Sequence, residues 1–235
     1  MRKFWARSLG ILCLVGLIAA PARAEVQQDG GAWLMFAGQG SFKEVSPSVS
    51  RLRWWFDSQL RMSGEDDGLG QTVVRPGVGW QLTPETSVWL GYGWIRTFPT
   101  NAPDWNENRI WQQYIWTPRF GDLRFQSRTR LEERFGEDRK GVSWRVREFV
   151  KILYPVLPSE KLFFSAYEEL FVTLNDTDWG PRAGVDQNRV FVGLNAPVGD
   201  SWQIEVGYMN RLVVRPGRDN LIDHLASINI FLNLN

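Results

Sequence analysis

The sequence predicts an all-β protein, a transmembrane, antiparallel, up-and-down β-barrel with a polar interior. Three observations predict it. Eleven segments alternate polar and apolar residues one by one, with charged side chains, many of them arginine, on one face. Most of these segments run to 9–14 residues, whereas tilted membrane strands need about 9–11 and soluble strands average about 5–6. From the second segment onward the connections alternate long and short, as in outer-membrane barrels with short periplasmic turns and longer outer loops.

The N-terminus has the layout of a secretory signal peptide. Arg2, Lys3 and Arg7 precede an apolar stretch, residues 9–20, and the small-x-small site Ala22-Arg23-Ala24 follows. The expected division is therefore a signal over residues 1–24 and one barrel domain over residues 25–235. Cys13 is preceded by Gly10-Ile11-Leu12, which does not suit a lipoprotein signal, and no cysteine follows it. Disulfides, Cys–His metal sites and thiol nucleophiles are thereby excluded from the mature chain. Without the four basic signal residues, 23 basic residues face 26 acidic ones, so nothing points to nucleic acid. No apolar run reaches the length of a spanning helix.

The first segment, residues 32–37, is short and flanked by Gly30-Gly31 and Gly38-Gln39-Gly40. It is either a partial strand or one of an unseen pair. The second, residues 51–62, is the cleanest: Arg51, Arg53, Asp57, Gln59 and Arg61 share one face, and Leu52, Trp54, Phe56, Leu60 and Met62 the other. The third and fourth, residues 71–82 and 87–96, carry Gly77, Gly79, Gly91 and Gly93 at alternate positions, where bulky lumen side chains cross or the sheet coils strongly.

The fifth segment, residues 109–116, is aromatic. In the sixth, residues 123–135, Arg124, Gln126, Arg128, Arg130, Glu132 and Arg134 oppose Leu123, Phe125, Leu131 and Phe135, a period of two rather than of a helix. The seventh, residues 142–154, and the eighth, residues 161–174, each place a glutamate, Glu148 and Glu168, on the apolar face. A lipid-facing glutamate is costly at the midplane, so Glu168 is expected near a rim or beside a bulge. Residues 187–195, 202–213 and 224–234 complete the set.

Turn chemistry marks the short connections, with Pro84, Pro118 before Gly121-Asp122, Pro158, and Pro197 before Gly199-Asp200. Bacterial barrels have even strand numbers, so twelve strands are expected, with ten the alternative. Trp80, Trp89, Tyr92, Trp94, Trp111, Tyr114, Trp116, Tyr154, Trp202 and Tyr208 suit two interfacial girdles.

Several stretches recur together: Asp57-Ser58-Gln59-Leu60-Arg61, Val74-Arg75-Pro76-Gly77-Val78-Gly79-Trp80, Ser87-Val88-Trp89-Leu90-Gly91-Tyr92-Gly93-Trp94 and Asn108-Arg109-Ile110-Trp111-Gln112-Gln113. They continue through residues 127–135 and 186–194 to Gly207-Tyr208-Met209-Asn210 and the Asn-rich final strand. On these stretches the chain resembles the bacterial domain-of-unknown-function family 2490, a family of expected outer-membrane barrels. The resemblance implies the fold and carries no activity, cofactor or catalytic residue.

No nucleophile elbow, phosphate loop, dinucleotide fingerprint or zinc-binding helix motif occurs. His224 is the single histidine, and Ser227 lies on the opposite face of its strand, which Asn229 shares. No catalytic, cofactor or metal site is expected. The expected lumen lining is Arg53, Arg75, Arg109, Arg124, Arg128, Arg130, Arg145, Arg189 and Glu205. These residues either fill a narrow lumen with charge pairs or line an anion-preferring channel. Three readings follow: a bacterial outer-membrane barrel that is a narrow pore or a structural envelope protein; a lipid- or lipopolysaccharide-modifying enzyme; an adhesion module working through residues 97–108 and 175–186, with Trp105 and Trp179 as anchors. The expected partners are outer-membrane lipid, lipopolysaccharide and the barrel-assembly machinery, and the expected state is a monomer.

Overall fold

The computed structural model describes residues 26–43, 45–65, 68–157 and 160–234. The expected signal peptide lies outside them. The strands are β1 (Val26–Ser41), β2 (Leu52–Ser63), β3 (Gly68–Gln81), β4 (Thr86–Thr97), β5 (Trp105–Trp116), β6 (Arg119–Phe120), β7 (Leu123–Gly136), β8 (Ser143–Pro155), β9 (Phe163–Thr173), β10 (Gly184–Val198), β11 (Trp202–Val213) and β12 (Asn220–Leu234). No helix among the described residues is long and apolar enough to cross a membrane, which says nothing of a β-barrel.

Among the described residues, eleven strands close into a barrel. Sequence neighbours pair antiparallel, β5 pairs directly with β7, and β1 meets β12. The two-residue β6 only bridges the start of β7, within the β5–β7 connection. The wall thus departs from the even count of twelve or ten. The physical reason is the seam: an odd number makes the first and last strands run the same way, and β1 and β12 pair parallel from Val26↔Asn220 to Gly40↔Leu234. A parallel ladder is slightly weaker per residue, yet it leaves no open edge.

β1 also corrects the short first segment. It spans 16 residues and runs through both glycine pairs. Those glycines mark close approach rather than strand ends: a Cβ at Gly31 would lie 2.0 Å from the Met62 carbonyl oxygen. Gly91 works similarly, since a Cβ there would meet Trp111 at 2.0 Å.

The alternation separates inside from outside. Among the described residues, buried polar or charged side chains outnumber buried apolar ones two to one, while Leu60, Val78, Leu90, Ile110, Val190, Val206 and Ile230 are exposed on the outer wall. A soluble domain has the reverse arrangement, so this is membrane-protein-type architecture. Trp80, Trp116, Tyr154 and Trp202 are exposed at strand ends beside the short turns. Trp89 and Trp111 correct the girdle assignment. They fall on the inward phase and are 5% and 0% exposed, packed edge-on against Trp55 at ring distances of 5.5 and 6.4 Å.

Candidate functional site

The inward faces of β5, β7, β8, β9 and β10 build a continuous charge network in the half of the barrel nearer the long loops. Glu107 accepts two hydrogen bonds from Arg134, at 2.6 and 3.0 Å, and one from Arg109 at 2.5 Å. Glu132, with no exposed surface, accepts from Arg145 and Arg147, each at 2.6 Å, and Arg109 approaches it to 3.7 Å. Arg145 also donates to Asp186 at 2.7 Å. Arg147 reaches on to Glu169 at 2.6 Å, which Arg128 and Arg189 share at 2.7 and 3.3 Å.

Alternation explains this assembly locally. Arg145 and Arg147, or Glu132 and Arg134, are two apart on one strand and so point into the same lumen. Aromatic rings complete the packing. Arg189 stacks over Trp33 at 4.6 Å and over Phe171 at 4.3 Å, and Arg130 over Trp111 at 4.4 Å. Trp33, on β1, also receives Arg61 from β2 and Arg211 from β11, which closes the remaining side.

Two hollows lie on either side of the network. On the short-turn side lies a cavity of about 730 Å³, whose rim includes Pro84, Thr117, Arg119, Ser201 and Asn233. A smaller hollow of about 410 Å³ at the long-loop mouth is lined by Glu65, Arg211, Arg215 and Arg218. The two share no lining residue. The loop between β9 and β10 folds over the mouth. Asn175 accepts from the Trp144 amide at 2.8 Å and donates to the Val142 carbonyl at 2.9 Å, and Trp179 packs against Trp105 at 6.4 Å.

Of the sequence-derived lumen set, Arg53, Arg75, Arg124, Arg128, Arg189 and Glu205 line the short-turn cavity. Arg109, Arg130 and Arg145 are buried in the network and do not reach it. Arg75 pairs with Asp57 at 2.7 Å, and Glu205 takes Lys151 at 2.5 Å and Ser165 at 2.6 Å. Arg147 and Lys151 are missing from that set although they carry the same inward phase along β8 as Arg145. The phase was the available signal.

Glu148 and Glu168 take a different position from the one expected. Neither lies at a rim or a bulge, since the β8–β9 ladder is regular and Glu168 is at the middle of β9. Both point outward and are satisfied by uncharged donors: Glu148 by Ser127 at 2.9 Å and Thr129 at 2.5 Å, Glu168 by Asn188 at 2.9 Å. Cross-strand hydrogen bonds lower the cost of a carboxyl on an apolar wall and keep the phase intact. His224 is also outward, with Nδ1 2.6 Å from the Tyr208 hydroxyl, while Ser227 and Asn229 are buried inside.

These features define a closed β-barrel with an apolar outer wall and a charge-paired interior. The chain belongs to the family described as protein of unknown function (DUF2490), which matches residues 30–221. It is 34% identical over 227 residues to an uncharacterized protein of Methylorubrum extorquens, covering 95% of this chain and 96% of that one. No solved structure matches it.

Proposed function

We propose that this protein is a bacterial outer-membrane barrel whose axis is closed, an envelope protein rather than an open pore. The observation that carries this reading is the buried network around Glu132 and Glu169, which lies between two hollows with no lining residue in common. An open channel in low-dielectric walls keeps its charges hydrated, whereas these carboxylates are bonded directly to guanidinium groups. The apolar outer wall and the aromatic strand ends support residence in a bilayer, with the short turns on the periplasmic side. Outer-membrane lipid and lipopolysaccharide would surround the wall, and the barrel-assembly machinery would insert it.

The other readings have less support. A hydrolase needs a base within reach of its nucleophile, and His224 and Ser227 occupy opposite faces of β12. Trp105 and Trp179 pack on one another instead of standing free as adhesion anchors. Planar-bilayer recording tests the closed reading. Purified protein inserted from detergent is expected to give no conductance steps between −150 and +150 mV, roughly the range in which a few gating charges act. Regular steps from the unmodified protein would overturn the closed reading and restore the narrow pore.

A further inference from the structure

We propose that the short-turn cavity binds a small organic anion, a carboxylate or phosphate group carried on an apolar, preferably planar body. The proposal rests on the closed lumen in one respect: the network is the floor that makes the cavity blind.

The charge balance of the cavity is the first argument. Among the described residues eight arginine or lysine side chains line it against three carboxylates, and Glu160 at the rim takes Arg119 and Arg124. The deficit concentrates at the floor, where Glu169 alone serves Arg128, Arg147 and Arg189. Arg147 has Glu132 as a second carboxylate, whereas no second carboxylate among the described residues pairs with Arg128 or Arg189. Among those residues Arg128 donates only through Nη2 and Arg189 only through Nη1, and Nε of each is buried without an acceptor. Clustered guanidinium groups in a low-dielectric wall repel one another, and a bound anion relieves that repulsion. An arginine fork donates to two oxygens of one group at once, which favours carboxylate or phosphate over a simple halide.

The walls supply the second, independent argument. Above the floor the cavity is flanked by Trp55, Trp89, Phe149 and Tyr167. Arg128 stacks on Phe149 at 4.5 Å, so cation and aromatic surface form one continuous face. A purely ionic ligand would leave the half-buried rings of Trp55, Phe149 and Tyr167 uncovered. A body with its own flat apolar face would cover them. The volume, about 730 Å³, is within the usual range of small-molecule pockets, about 300–1,000 Å³.

Isothermal titration calorimetry of the full-length mature protein in detergent tests this, with 2-naphthoate, 2-naphthyl phosphate and decanoate as probes and 2-naphthamide as the neutral control. At least one anion is expected to bind saturably at one site, and naphthoate at least about tenfold more tightly than naphthamide. Arg128→Gln should weaken the anion about tenfold or more, whereas Glu169→Gln should tighten it, because the competing internal carboxylate is gone. Retained heat-modifiable gel mobility certifies that each variant is folded, and the anion-versus-amide comparison on the unmodified protein stands if a variant does not fold. Equal affinity for naphthoate and naphthamide, an unchanged Arg128→Gln, or no saturable heat from any anion up to about 1 mM would overturn the site. Bilayer recording on the same preparation reports on the closed lumen separately, so failure of the site and failure of the closed reading are distinguishable.

Discussion

Arg147 on β8 joins two carboxylates on different strands, donating from Nη1 to Glu132 on β7 and from Nη2 to Glu169 on β9, each at 2.6 Å. The guanidinium thus ties three consecutive strands together through the lumen, in addition to the backbone ladder. Its planar fork presents separate N–H groups to the two carboxylates in a fixed geometry, which the single ammonium of lysine does not.

Neutralising Glu132 strands several cations at once. Arg145, Arg147 and Arg109 all lie within 4 Å of it, and the site is buried. Breaking a buried pair from one side typically costs about 3–5 kcal/mol. Glu132→Gln keeps the shape and part of the hydrogen bonding, so a loss of roughly 2–4 kcal/mol is expected in the urea unfolding of the protein refolded into lipid vesicles. A change below about 1 kcal/mol would mean the network contributes little to holding the barrel closed.

The parallel seam predicts a specific cross-link. Ala32 and Ala226 are directly paired between β1 and β12. The sequence has no cysteine after Cys13, so Ala32→Cys with Ala226→Cys introduces an unambiguous pair. Oxidation should form the disulfide in the folded protein, visible as a gel-mobility change reversed by reductant. Shifting one cysteine to Ile230, four residues farther along β12, should abolish it. Cross-linking of the shifted pair instead would refute the register.

Glu168 gives a prediction that depends on the surroundings of the wall. It points outward at the middle of β9, and among the described residues Asn188 is its one side-chain hydrogen-bond partner. In a lipid bilayer, Glu168→Leu should stabilise the barrel, by about 1–2 kcal/mol, because carboxyl burial in hydrocarbon is costly but less so than for a basic group. Reversible unfolding in vesicles would measure it. A destabilised variant would indicate that this face meets a polar partner rather than acyl chains.

Acid should loosen one contact at the short-turn rim. Glu160 accepts hydrogen bonds from Arg124 at 2.5 Å and Arg119 at 2.9 Å, and these hold its carboxyl below the ordinary glutamate value. A depressed carboxyl contributes stability above its unfolded value, about 4.3, and loses it as pH falls through the folded value. The unmodified protein and Glu160→Gln should therefore differ at neutral pH and converge well below about pH 4. A constant difference across pH 3–7, roughly the range spanning both protonation states, would exclude the ion pairs as its source.

Much of the wall was legible because the signal is local. In β7 every inward position from Arg124 to Arg134 is polar, and one residue of slip would turn that whole row toward lipid. Strand phase therefore follows from neighbours in the chain. Trp89 and Trp111 obey the same phase, which outranks the preference of their residue type for the interface. β1 was truncated because glycine reads as a breaker, whereas Gly31 is required by the approach of the Met62 carbonyl from β2.

The sequence by itself determined the strands, their two faces, and the sign of the charge that collects inside. Tertiary structure alone decided how many strands close the wall, that the seam is parallel, and which arginine meets which acid. Lys151 and Glu205 are 54 positions apart on the non-adjacent strands β8 and β11, and Arg128 reaches Glu169 past an intervening strand. Such pairs meet only across a lumen, and a lumen exists only after closure. Alternation is fixed by the geometry of one strand, while partner choice depends on curvature, register and the parity of the whole ring.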